Sequence, residues 1–188
     1  KKIPVFSGLG GGSSNAATIL KFLSNKKIKK NKFNQIINSV GSDLRLFFYN
    51  QGYLKNLNKA VKLRKKNSLH LLIIYPKIKC STEKVYSMVK NYSKKELFSQ
   101  KNTTSKVRLI NYLLHSRNDL QSIVEKKHPI IKKLIFNLRK MKGCYLSRMT
   151  GSGSACYGLF NDKECSKAAL KKLRKKYPKF WFSIAKTI

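Results

Sequence analysis

The chain has 188 residues, 41% of them hydrophobic, enough for one substantial core or two small ones. Its 42 Lys and Arg face 7 Asp and Glu, a formal charge of +35 that attracts polyanions and phosphorylated metabolites. The longest apolar run, Leu69–Tyr75, falls far short of the roughly 20 residues that cross a bilayer, and no signal-peptide pattern opens the sequence. A cytoplasmic protein without a membrane partner is therefore the expectation.

The bases are 35 Lys and only 7 Arg, spread over every segment and accompanied by 15 Asn and 15 Ile. That is the signature of an A+T-rich coding sequence, whereas a sequence-specific nucleic-acid reader favours Arg for base contacts. No specific nucleic-acid partner is expected. Cys80, Cys144, Cys156 and Cys165 form no CxxC pair and have no His at metal-ligand spacing, so free thiols and no metal site are expected.

In chain order, the short segment Lys2–Phe6 leads into a glycine-rich string. A helix is predicted from about Ser13, with Ala16, Ala17, Ile19, Leu20 and Leu23 on its apolar face. Asn25–Lys32 reads as a solvated loop, and Phe33, Ile36, Ile37 and Val40 as a second helix ended by Gly41. Leu69–Tyr75 reads as a buried strand closed by Pro76, with the best boundary between two lobes beside it. Helices are then predicted around Val85, Met88, Val89 and Tyr92, around Val107–Leu114, and from Pro129 to Met141. Gly143–Met149 and Ala155–Phe160 read as strands about a tight turn at Gly151–Gly153. Asp162 caps a Lys-rich helix reaching Tyr177, and Phe180–Lys186 alternates like a last strand. Helices and strands intermix without repeats, so the class is α/β or α+β.

The strongest chemical signal is Pro4-Val5-Phe6-Ser7-Gly8-Leu9-Gly10-Gly11-Gly12-Ser13-Ser14-Asn15-Ala16-Ala17. Four glycines in five positions clear side chains away, so backbone N–H groups can approach a phosphate. The helix that follows aims its N-terminus, with unpaired N–H groups, at the same place. No Lys follows the last glycine, so this is not the Walker pattern. Asp43, in Val40-Gly41-Ser42-Asp43-Leu44-Arg45-Leu46-Phe47-Phe48, is placed either to cap a turn or to take a proton from a substrate hydroxyl. Arg148-Met149-Thr150-Gly151-Ser152-Gly153-Ser154 is a second glycine loop, which by itself is as well explained by a hairpin.

These strings resemble the GHMP kinase superfamily, named for galactokinase, homoserine kinase and mevalonate kinase. KKIPVFSGLGGGSSNAA is similar to the phosphate-binding motif of its 4-diphosphocytidyl-2-C-methyl-D-erythritol kinase family. The resemblance implies a two-lobed α+β fold with the active site in the cleft. The N-terminal lobe would be ribosomal-protein-S5-like and incomplete here (1–68, ATP-binding); the C-terminal lobe would be ferredoxin-like (69–188). It implies an ATP- and Mg²⁺-dependent kinase of isoprenoid precursor biosynthesis. Its substrate would be a cytidine-diphosphate methylerythritol, phosphorylated at the 2-hydroxyl.

The resemblance makes Asp43 the base, since the family's string is Gly-Ser/Ala-Asp-Val-Pro-Phe-Phe; Arg45 departs from it by standing in place of Pro. It makes Pro4, Val5, Phe6, Ser7, Gly8, Leu9, Gly10, Gly11, Gly12, Ser13 and Ser14 the ATP-binding loop. It places Thr82 near the methylerythritol end of the substrate, and Gly151, Ser152 and Gly153 close to the active site. Arg117-Asn118-Asp119-Leu120 resembles a family segment opening a helix, with Asp119 as its cap. Nothing matches the family's N-terminal segment and its catalytic Lys, so the chain by itself is expected to be inactive. Two alternatives stand beside this reading: another GHMP kinase of mevalonate or homoserine type, and a catalytically dead polyanion-binding fragment.

Overall fold

The computed structural model of the protein describes residues 3–24, 30–93 and 98–187. It divides into two packed units, Gly10–Lys66 and a second built from 3–9 with Asn67–Thr187.

In the first unit, α1 (Gly11–Ser24) and α2 (Lys30–Val40) precede a 3₁₀ segment, Ser42–Phe48. Ala17 and Leu20 of α1 meet Ile37 of α2 and Leu44 of the 3₁₀ segment in a small core. Lys21 Nζ donates to Phe47 O at 2.8 Å and ties α1 to the far end of that segment. The apolar face expected on α1 is split. Ala17 and Leu20 are buried, whereas Ile19 is 59% and Leu23 42% exposed, as is Phe22 outside the expected face at 70%. Apolar residues wrap around more of this helix than the unit's own core can cover. Of the loop expected at Asn25–Lys32, residues 25–29 lie outside the described ones, and Lys30–Lys32 instead open α2. Gly41 closes α2 as expected: its N–H donates to Ile37 O at 3.0 Å, at a φ of 134° that other residues avoid.

A hairpin unforeseen in the sequence follows, β1 (Gly52–Asn56) antiparallel to β2 (Lys59–Lys62). Asn56 Oδ1 accepts from Asn58 N–H at 3.1 Å and shapes its turn.

The second unit is organised by β3 (His70–Tyr75), whose side chains alternate between two cores. Leu72 and Ile74 join Phe160, Leu134, Leu138 and Leu173 in the larger core, while Leu69 and Leu71 join Leu109, Ile110, Leu146 and Leu159 in the other. The helices are α3 (Thr82–Ser87), α4 (Lys106–His115), α5 (Gln121–Lys127), α6 (Pro129–Arg139) and α7 (Lys163–Lys176). With β4 (Cys144–Met149), β5 (Cys156–Phe160) and β6 (Trp181–Lys186), β3 forms an antiparallel sheet in the order β4-β5-β3-β6. That order, with α6 and α7 on the face opposite α4, is the ferredoxin-like split β-α-β arrangement expected. The fold class is α+β.

α6 begins with Pro129 at its first turn, where no N–H is missed. It packs so closely that a Cβ on Gly158 of β5 would lie 3.1 Å from Leu138 Cδ2. Asp162 caps α7 as expected, accepting from Cys165 N–H at 2.7 Å. That bond from the Cys165 amide, with lesser contributions, holds the Asp162 carboxyl below its ordinary range. Its stabilisation is therefore present above the unfolded carboxylate pKa and disappears as pH falls through the lowered one. The helix expected through Tyr92 stops at Ser87. Among the described residues, no helix is long and apolar enough to cross a membrane.

Leu134 is fully buried beneath the sheet, while Phe136, two residues on, is 57% exposed. Leu134→Ala is expected to cost about 3 kcal/mol by leaving a cavity, and Phe136→Ala about 0.5 kcal/mol or less. Parallel urea titrations of the two variants check this.

Candidate active site

The glycine-rich string spans the junction of the two units, and its halves are held differently. Residues 3–9 pair with no strand; they form turns and bends fixed by the second glycine loop. Phe6 and Gly8 both take left-handed backbone, at φ 55° and 72°. Ser7 is buried, and its Oγ donates to Pro4 O at 2.8 Å across that turn. Tyr75 Oη, at the end of β3, donates to Val5 O at 3.3 Å. Ala155 N–H donates to Ser7 O at 3.0 Å, and Thr150 Oγ1 donates to Gly8 O at 2.9 Å.

The approach of the two backbones explains the glycines. A Cβ on Gly8 would sit 2.3 Å from Thr150 O, and one on Gly151 would sit 3.1 Å from Gly8 O. Gly153 is equally constrained, at φ 87°, with Met149 Sδ 2.6 Å from its would-be Cβ. The second loop thus lies against the first, and hydroxyls extend the contact to α3: Thr82 Oγ1 and Ser152 Oγ share a hydrogen bond of 2.9 Å.

Two residues on Arg117–Leu120 do unexpected work. Asn118 Nδ2 donates to both Met149 O at 3.0 Å and Gly151 O at 2.9 Å, while its Oδ1 accepts from Leu120 N–H at 3.1 Å. It staples the second glycine loop to the start of α5. Asp119, expected to cap that helix, does not: its Oδ2 accepts from Ser93 N–H at 3.1 Å and Ser93 Oγ at 2.9 Å, and α5 has no side-chain cap. The signal that identifies Asn118 is its position two residues before Leu120, the spacing of an Asx turn.

In the other unit, α1 begins at Gly11, two residues earlier than expected. Gly10 O accepts the first helical bond, from Ser14 N–H at 2.9 Å, so the N–H groups of Gly11, Gly12 and Ser13 lie ahead of the ladder. No acidic residue stands in this first turn. Gly10 is at φ 66° and packs on Phe47, whose Cζ would be 2.8 Å from a Cβ there. Gly12 differs: a Cβ on it would meet nothing within 4 Å. A helical glycine costs about 1 kcal/mol against alanine, and among the described residues nothing packs on this one.

Asp43 lies in the first turn of the 3₁₀ segment, exposed, and among the described residues nothing bonds its carboxylate. Arg45, the departure from the family string, is directed to α2: it donates to Asn38 Oδ1 at 2.7 Å and Asn34 Oδ1 at 3.4 Å. Arg45 makes no bond to Asp43.

All four cysteines are free. Burial pushes the Cys144 thiol up to about 11, and raises Cys80 and Cys156 as well. Among the described residues no group of three or more His, Cys, Asp or Glu is placed to hold a metal ion.

A family model described as GHMP kinases C terminal matches residues 95–179. The chain is 33% identical over 192 residues to the 4-diphosphocytidyl-2-C-methyl-D-erythritol kinase of Pelagibacter ubique (strain HTCC1062), covering 100% of this chain and 67% of that one. It is 33% identical to the enzyme of the same name from Wolbachia pipientis wMel, covering 96% of this chain and 64% of the relative. The chain thus spans about two thirds of the length of these relatives. A crystal structure of 4-(cytidine 5'-diphospho)-2C-methyl-D-erythritol kinase superposes on 98% of the chain with a TM-score of 0.72 at 23% identity. A homoserine kinase from Cytophaga hutchinsonii gives 0.64 at 14% identity, a likeness of fold alone.

Asn118→Leu strands two carbonyls, so it is expected to cost about 1–3 kcal/mol and to speed hydrogen exchange at Gly153 and Ala155 ahead of the sheet. Gly8→Ala, forced into both a left-handed conformation and Thr150 O, is expected to lose a similar ~1–3 kcal/mol. Gly12→Ala should leave the melting temperature unchanged or raise it. Thermal melts with residue-resolved exchange separate the three.

Proposed function

We propose that this chain, which belongs to the 4-diphosphocytidyl-2-C-methyl-D-erythritol kinase family, carries the phosphate-binding and base-bearing part of an ATP-dependent small-molecule kinase. The acceptor in this reading is the 2-hydroxyl of a cytidine-diphosphate methylerythritol, and the product feeds isoprenoid precursor synthesis. In this reading residues 1–68 belong to an ATP-binding domain and 69–188 to a C-terminal domain, with 3–9 packed into the same unit as the latter.

The observation that carries the reading is the start of α1. Three N–H groups ahead of the helical ladder, a first turn free of acids, and a glycine facing open space at Gly12 fit an anion that needs backbone within reach. Charge alone is no such argument in this chain, because lysines are everywhere. In this role Gly8–Ser14 hold the transferring phosphate, with Pro4–Ser7 fixing the loop from behind. Magnesium would enter with the nucleotide, held mainly by phosphate oxygens with the Ser13 and Ser14 hydroxyls beside them, and would offset their negative charge.

Asp43 accepts the proton of the attacking hydroxyl. Its carboxylate is exposed and has no partner among the described residues, and Arg45 is engaged with α2. Thr82 positions the substrate, and Ser152 orients the Thr82 hydroxyl through their shared hydrogen bond. The second glycine loop acts through the first, by fixing the carbonyls of Ser7 and Gly8. Most of the rate enhancement then comes from position and electrostatics rather than covalent chemistry.

Two variants test this in the full-length gene product. Gly12→Val should weaken ATP binding at least ~10-fold by calorimetry while leaving circular dichroism native, because it fills the space an anion would use. Asp43→Asn should retain ATP and alcohol binding yet lose turnover by roughly 10²–10⁴, the range for a positioned base. Unchanged ATP affinity in the first would refute the loop assignment. Near-parental turnover in the second would make Asp43 a turn residue. ADP release with the cytidine-diphosphate alcohol, mevalonate and homoserine side by side decides the substrate.

A further inference from the structure

A cavity of about 270 Å³ opens in the second unit between α3 and α5, and it belongs to none of the roles above except through one side chain. Its floor is apolar. Val85 of α3 and Val124 of α5 are buried there, with Ile123 and Met88 beside them. Cys80 adds to the floor as a neutral thiol, since burial pushes its titration up. The rim is cationic: Lys79, Lys84 and Lys127 line the opening together with His128, and no carboxylate does. Ser81 and Phe6 complete the wall, and Phe6 is 58% exposed on a backbone held in the left-handed region.

Each half of this lining rejects a simple occupant. A bare inorganic anion would satisfy the ammonium groups but gain nothing from the apolar floor. A neutral hydrocarbon would gain from the floor, at about 25 cal/mol per Å² of area removed from water, but leave the cationic rim unused. A molecule with a short apolar body and one anionic end uses both. The volume suits a small molecule rather than a polymer, and it lies just under the usual range for ligand sites, roughly 300–1,000 Å³.

Phe6 is what makes the cavity more than a surface dent. Its neighbours are fixed, Val5 O by Tyr75 and Ser7 O by the Ala155 amide, so its ring is presented at a set position. A non-glycine residue at positive φ is uncommon and costs energy. Here the turn brings a large aromatic side chain to the cavity instead of the core.

We propose that this cavity is a binding site for a small amphiphilic anion, an alkyl or aryl body bearing a phosphate or carboxylate. The body lies on Val85, Val124 and Phe6, and the anionic end is met by Lys84, Lys127 and Lys79. The proposal does not rest on nucleotide binding by the glycine loop.

The test uses calorimetry on the full chain with hexyl phosphate, hexanoate, hexanol and inorganic phosphate, all below micelle-forming concentrations. Hexyl phosphate should bind at least 10-fold more tightly than either hexanol or inorganic phosphate, and comparison with hexanoate identifies the preferred head group. The double variant Lys84→Gln/Lys127→Gln should lose at least 10-fold in that affinity. The double variant Lys132→Gln/Lys133→Gln, on exposed positions of α6 outside the cavity, should keep it. All four positions are exposed, so folding is not at stake. Equal affinity for hexyl phosphate and inorganic phosphate overturns the proposal, as does an equal loss in both double variants, which would reduce the effect to overall charge. Hexyl phosphate binding that survives in a chain unable to bind ATP upholds this site and refutes the nucleotide reading alone.

Discussion

The contact on which the candidate site depends is backbone against backbone: Val5–Gly8 lying on Thr150–Ala155. Two carbonyls of the first loop, Ser7 and Gly8, are claimed by an amide and a hydroxyl of the second. Side chains would forbid that approach, since a Cβ on Gly8 would fall 2.3 Å from Thr150 O. The second loop is in turn the β4–β5 connection; Asn118, ahead of α5, holds it, and Gln121, the first residue of α5, holds the end of β4, its Oε1 accepting from Met149 N–H at 3.0 Å. The first half of the glycine-rich string is thereby tied to the sheet in which β3 and β5 are the central strands. Preorganised backbone donors cost no reordering when charge arrives, which is what electrostatic stabilisation requires.

Much of this was legible in the sequence because periodicity and packing agree. In β3 the alternation of Leu69 and Leu71 with Leu72 and Ile74 separates two cores, so the run reads as a buried strand and is one. Pro129 opening α6 and Asp162 capping α7 are local rules with local outcomes. The places where reading fell short share a different cause. The β1–β2 hairpin has strands of five and four residues, and its apolar pairs, Tyr53–Val61 and Leu54–Ala60, are adjacent and so fall on opposite faces, leaving no periodic signal to mark it. On α1, Ile19 and Leu23 have the spacing of core residues, but burial depends on what covers a face, and spacing carries no information about the cover.

The site shows the same division. Glycines announce that backbone must come close, but not to what. In the structure they differ: Gly8, Gly151 and Gly153 make room for protein, and a Cβ on Gly12 would meet none of the described residues within 4 Å. A single string of similar-looking residues therefore contains both architecture and candidate chemistry, and only the neighbours separate them. Asp119 and Asn118 make the point from the other direction. The carboxylate looked like the cap, yet Ser93 claims it, and the neutral amide beside it does the joining. An amide offers both donors and an acceptor, and the task there is to satisfy two carbonyls and one N–H at once, which a carboxylate cannot do.

The charge of the chain sharpens what recognition must rely on. With 42 bases against 7 acids, the potential around the molecule favours any anion; Lys167 and Glu164 form an exposed ion pair at 3.1 Å. That field can speed the arrival of a phosphorylated ligand, but it is long-ranged, falls off over about 8 Å at physiological ionic strength, and does not distinguish one anion from another. Selectivity has to come from features that act at contact distance and that salt does not erase. The N–H groups at the start of α1, the open position at Gly12 and the apolar floor between α3 and α5 are of that kind. An exposed, unpaired carboxylate in such surroundings is itself unusual, since so many ammonium groups compete for it. Among the described residues nothing pairs with Asp43, and its nearest basic neighbour in sequence, Arg45, is held by two asparagines of α2. Neutral side chains thus occupy the guanidinium nearest in sequence to a negative charge, in a protein that has almost none to spare.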